Sequence, residues 1–181
     1  MKRTLTLLSC LLMLPALGWA DEGPAEADRA NHAFGGSLGW LTGSGIMYRR
    51  YMGDNYFQGG AVAYYNKDTG RKYGDLAITV GRYVHYTNFS EQFFPVALKV
   101  FSGAEVEVGR ETYNEDMRRD VKNDYLHMGA GIGIDIGNPN QPGFSLSLDL
   151  SYIASFRDFE FNGEGLVFIE PRPGASIFYN W

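Results

Sequence analysis

The chain has 181 residues, a formal net charge of −5, one cysteine, 23 glycines and 12 each of tyrosine and phenylalanine. That length suits a single domain, and the mildly negative charge gives no support for nucleic-acid binding. The lone Cys10 falls in the amino-terminal segment, so the rest of the chain can form neither a disulfide framework nor a thiolate metal site.

The opening stretch MKRTLTLLSCLLMLPALGWA sets Lys2 and Arg3 before an apolar run from Leu5 to Leu17, followed by small residues at Gly18 and Ala20. This is the layout of a secretory signal peptide over residues 1–20, with cleavage expected after Ala20. The apolar run is shorter than the roughly 20 residues a spanning helix needs. Leu7-Leu8-Ser9-Cys10 has the outline of a lipobox but precedes most of the apolar run, so it reads as part of the leader. Residues 21–32, DEGPAEADRANH, are expected to form a polar periplasmic segment, and 33–181 the folded domain.

Strands are predicted next over 33–41, 44–52 and 55–66, rich in Gly and Tyr, with their faces left open and one of Arg49 and Arg50 turned inward. YGDLAITVGRYVHY then sets Leu76, Ile78, Val80, Val84 and Tyr86 against Asp75, Thr79, Gly81, Tyr83 and His85, with Arg82 as the exception on the apolar face. In FFPVALKVFSGAEVEVG, Leu98, Val100, Val106 and Val108 oppose Lys99, Glu105 and Glu107. YLHMGAGIGIDIG sets Leu126, Met128, Ile132, Ile134 and Ile136 against His127, the glycines and Asp135. The clearest alternation is FSLSLDLSYIASF, where Phe144, Leu146, Leu148, Leu150 and Tyr152 oppose Ser145, Ser147, Asp149, Ser151 and Ile153. A last strand over 167–181 brings the expected number to eight. Period two over such lengths means strands with one apolar and one polar face.

Two architectures satisfy this pattern. In a soluble sandwich the apolar faces meet; in a membrane barrel they face lipid and the polar faces line the lumen. Strand length favours the barrel, since tilted spanning strands need roughly 9 to 11 residues. Aromatics near strand ends, at Tyr86, Phe94, Phe144, Phe156, Tyr179 and Trp181, suit membrane girdles.

With its closing SIFYNW, in which Ile177, Tyr179 and Trp181 alternate, the chain resembles the small eight-stranded bacterial outer-membrane barrels of the OmpA/OmpX type. The resemblance implies an all-β, antiparallel, up-and-down transmembrane barrel, monomeric and integral to the outer membrane. It also implies that the terminal strand is an assembly signal read by the barrel-assembly machinery, and that outer-membrane lipid and lipopolysaccharide are partners. With both termini periplasmic, the charged segment from Arg110 to Asn123 becomes an outer loop, NPNQPG a short periplasmic turn, and Arg82 snorkels to headgroups.

The inward face then collects Asp75, Lys99, Glu105, Glu107, Asp135, Asp149 and Arg157, expected to pair into a network that plugs the lumen. A proton or ion path is the alternative. HYTN is similar to the His-x-Ser-Asn signature of the outer-membrane lipid A deacylases, which would make His85 the base, Thr87 the nucleophile position and Asn88 the following amide. Thr stands for Ser, however, and the motif lies on the fourth strand, so His85 reads first as structural. His32, His85 and His127 are scattered without carboxylates at ligand spacing, and neither a metal nor a cofactor is expected. In the outer loop, Arg110, Arg118, Arg119 and Lys122 are the cations, and Arg118-Arg119 suits lipopolysaccharide phosphates. The expected role is non-enzymatic, structural or surface-interacting, with a lipid A hydrolase and a narrow pore as the alternatives.

Overall fold

Alternation carries the chain into β1 (His32–Leu38), β2 (Gly45–Met52), β3 (Asn55–Asn66), β4 (Arg71–Thr87), β5 (Val96–Thr112), β6 (Asp120–Ile136), β7 (Gly143–Arg157) and β8 (Leu166–Asn180). The computed structural model describes residues 30–39, 41–66, 71–87, 95–112, 120–137, 142–160 and 165–181. The expected signal peptide and most of the 21–32 segment lie outside these residues. Each strand pairs antiparallel with the next, and β8 returns to β1 in a closed barrel. Closure leaves no free sheet edge where β1 meets β8, from Ala33 opposite Asn180 to Leu38 opposite Ala175.

The barrel is inverted relative to a soluble protein. Along β7, Phe144, Leu146, Leu148 and Leu150 are exposed on the outside, while Ser145, Ser147, Asp149 and Ser151 are buried inside. The same division holds on β5 and β6, where Leu98 and Ile132 face out and Lys99 and Asp135 are fully buried. A contiguous exposed apolar belt around a polar interior needs an apolar solvent.

At the terminal end, the Trp181 amide donates to the His32 carbonyl at 2.9 Å, and the Trp181 carbonyl accepts from Asn31 and His32. The Trp181 ring stacks on His32 at 6.0 Å, and Phe144 meets Tyr179 edge-on at 5.1 Å. β2 and β3 are joined here by Gly53-Asp54 alone; Gly53 has φ +63°, the positive first angle a two-residue hairpin turn requires.

Two expectations are corrected. His85 was expected on the inner face, but the β4–β5 register passes from Tyr83 opposite Lys99 directly to His85 opposite Leu98. Val84 is thus a residue in excess, and a one-residue offset exchanges the faces of everything beyond it. His85 turns outward, and Tyr86 turns inward to lie 5.7 Å from the Tyr83 ring. The expected loop from Arg110 to Asn123 is also shorter. β5 runs to Thr112 and β6 starts at Asp120, so Arg110 and Lys122 are rung partners. Backbone pairing does not depend on side-chain polarity, so the ladder continues past the apolar belt.

At the opposite, loop end the wall is uneven. β8 pairs with β1 only from Ala175 onward, leaving Leu166–Gly174 bonded to β7 alone. Pro171 and Pro173 fall in that one-sided stretch, where a sheet tolerates proline and where missing donors blunt an open edge.

Candidate functional site

The lumen holds two charged clusters, stacked along the axis. In the lower one, Asp135 accepts from Arg49 at 2.7 Å and pairs with Lys99 at 2.9 Å. Lys99 also reaches Asp149 at 2.9 Å and bonds to Ser147. Arg49 donates through Nε to Gln58 at 2.9 Å, and its guanidinium lies over the Phe178 and Tyr56 rings at 4.1 and 4.7 Å. Tyr83 completes the cluster, donating its hydroxyl to Asp135 at 2.5 Å. Arg49 and Lys99 thus face Asp135 and Asp149, a balanced set with both cations fully buried. Such charges are tolerable inside only when paired and hydrogen-bonded.

Above them the β1–β2 connection folds into the barrel. Leu41 is fully buried; its carbonyl accepts from Thr79 at 2.9 Å, and the Thr42 carbonyl accepts from Gln58 at 3.1 Å. The Ser44 amide donates to Asp75 at 3.3 Å. This segment lids the balanced cluster.

The upper cluster is acidic. Asp75 lies directly across the ladder from Glu107, and Glu105 is its diagonal neighbour, opposite Ala77. On β6, His127 sits between Glu107, 3.4 Å from Nε2, and Ser155, 2.6 Å from Nδ1. The His127 ring stacks with Tyr125 and Phe168, and Glu170 pairs with Arg172 on β8.

Of the residues singled out in the sequence, Lys99, Asp135 and Asp149 meet in one network, and Asp75, Glu105 and Glu107 form the other. Arg157 joins neither; it is exposed at the loop end, 5.9 Å over Tyr125. Arg49, not Arg50, is the inward arginine. His85 stands exposed on the outer face, Thr87 ends β4, and Asn88 lies outside the described residues. Arg118 and Arg119 also lie outside them. Lys72, Arg110 and Lys122 occupy one backbone rung across β4, β5 and β6, and Lys72 with Ala63, Tyr64 and Tyr65 lines an open groove of about 460 Å³. Ile177, Tyr179 and Trp181 project outward from the end of β8.

Ser155, His127 and Glu107 form a hydroxyl–imidazole–carboxylate series that sequence reasoning passed over. Its members come from three strands and share no local spacing, so only the register reveals it. The order is that of an activated nucleophile. Ser155, however, is 0% exposed, which leaves no room for a carbonyl substrate at its oxygen.

A closed eight-stranded antiparallel barrel, apolar outside and charged within, is the fold of the small bacterial outer-membrane barrels of the OmpA/OmpX type. Among solved structures, the chain is similar to the N-terminal β-barrel domain of Pseudomonas aeruginosa OprF, with a TM-score of 0.51 and 13% identity over 85% of this chain and 100% of that one. It is also similar to Neisserial surface protein A, NspA, with a TM-score of 0.42 and 15% identity over 83% of this chain and 93% of that one. At this identity the likeness to the OprF domain is one of fold alone. No protein-family model matches the chain, and no curated protein matches it in sequence.

Proposed function

We propose that the protein is an integral outer-membrane barrel with a sealed lumen, serving an envelope-structural or surface-interaction role. In this reading both termini face the periplasm and the loop end faces outward. The observation that carries it is the balanced, fully buried Arg49–Asp135–Lys99–Asp149 network beneath the folded-in β1–β2 connection. Ions would have to break that network to pass. Lipopolysaccharide is the outer-leaflet partner, with the basic rung of Lys72, Arg110 and Lys122 and the Arg118-Arg119 pair as phosphate contacts. The end of β8, with Ile177, Tyr179 and Trp181, is the segment read during assembly, and the barrel works as a monomer without cofactor or metal.

The test pairs two readouts. Purified barrel refolded into planar bilayers is expected to show no single-channel steps; regular steps would replace the sealed-barrel reading with the pore. Lipid A from cells with and without the gene is expected to have one mass profile. An acyl change abolished by Ser155→Ala or His85→Ala would make the protein a hydrolase instead.

A further inference from the structure

β1 ends at Leu38 and β2 begins at Gly45, whereas β3 continues to Asn66 and β8 begins at Leu166. At the loop end the wall therefore lacks its β1–β2 portion. A cavity of about 350 Å³ occupies the gap, and its lining crosses the wall. Tyr73, Glu105 and Glu107 contribute from the inner face, Leu38 and Pro173 from the outer, and Gly39 and Ser44 from the folded-in connection between them. A cavity that touches both faces is a side opening.

Its inner wall is acidic, with the His127 imidazole as a neighbouring base, opposite Glu105 on the ladder and 3.4 Å from Glu107. Glu105 is 2% exposed and its Oε2 has no hydrogen-bond partner; Asp75 is 4% exposed and its Oδ1 has none. Among the described residues, Lys99 is held by Asp135 and Asp149, Arg172 by Glu170, and neither Asp75 nor Glu105 has a lysine or arginine partner. Carboxyls this close and this buried must share a proton or take a positive partner, because like charges on neighbouring rungs repel and burial removes the water that would screen them. Among the described residues no three ligating groups converge as a metal requires. An ammonium group suits the site better: it offers three donors without a fixed coordination geometry, and Tyr73, which also lines the cavity, is an aromatic side chain of the kind that attracts cations.

We propose that this opening binds a single-chain primary-amine amphiphile. The ammonium head enters beside Glu105 and Glu107, and the alkyl chain leaves sideways over Leu38 and Pro173 onto the apolar outer face. The inference deepens the surface-interaction reading and rests on the outer face being in hydrocarbon. Bilayer conductance tests the sealed barrel separately, so one can fail without the other.

The full chain, refolded in neutral maltoside micelles, is titrated with decylamine while backbone amide resonances are followed. Saturable shifts are expected at Gly39, Ser44, Tyr73 and Glu105, with methylamine and decanol each about tenfold weaker, since each lacks one half of the interaction. The double variant Glu105→Gln/Glu107→Gln should lose about tenfold in decylamine affinity, corresponding to loss of charged hydrogen bonds. Methylamine binding as tightly as decylamine would overturn the proposal in favour of a plain cation site, and decanol binding as tightly would reduce it to an apolar groove. Shifts spread around the apolar belt and unchanged in the variant would mean micelle partitioning only. If the variant fails to fold, judged by its gel mobility before and after boiling, the three-ligand comparison on the unaltered chain still decides.

Discussion

Gly133 lacks a side chain where Lys99 and Asp149 need the space: a Cβ there would fall 2.7 Å from Lys99 Cε and against the Asp149 carboxylate. Gly81 likewise leaves room for the Tyr56 ring. The lumen is thus packed at the level of single carbons, and its glycines are as necessary as its charges. Asp135 is the member with two cationic partners, at 2.7 and 2.9 Å. Asp135→Asn should therefore cost about 3 to 5 kcal/mol, the usual penalty for unpairing a buried ion. Asp149→Asn should cost less, because Lys99 keeps Asp135. Urea unfolding of the refolded barrel would rank the two, and midpoints equal to the parent's would mean that the network does not bear on stability. Parity alone identified Lys99, Asp135 and Asp149 as inward residues. It could not show which of them pair, because the partners lie on β5, β6 and β7, and only register brings them level.

At the scale of the strand, β4 shows how far alternation can be read. Up to Tyr83 each residue faces as its parity says, and beyond Val84 the faces exchange. Nothing in VGRYVHYT marks the bulge; the fault appears only against β5, where two residues meet one rung. Deleting Val84 should remove the excess residue and preserve both faces, leaving the urea midpoint close to that of the parent. Deleting Ile78 instead offsets one half of β4 against the other and should prevent folding, read as loss of the boiling-dependent gel shift. If both deletions behaved alike, Val84 would not be the residue in excess. β8 makes the complementary point. Its two prolines would argue against a central strand, yet they sit where β1 has already ended.

For the molecule as a whole, the decisive property is inversion: Leu148 and Leu150 outside, Lys99 and Asp135 inside. If the belt lies in lipid, Leu148→Arg should cost about 2 to 4 kcal/mol in bilayers, as charges near the midplane of such barrels do. Unfolding from vesicles would measure it, and a negligible cost would place Leu148 outside the hydrocarbon.

The amino-acid sequence by itself determined the period, the number of strands and, for β5, β6 and most of β7, the chemistry of each face, because these follow from the pleat of a single chain. Three features were decided only by the tertiary structure: the partition of the lumen charges into a balanced lower cluster and an acidic upper one, the inward fold of the β1–β2 connection, and the side opening it leaves. Each depends on which residues stand at the same height on different strands. That is set by register, strand length and closure, and no local stretch of sequence encodes them.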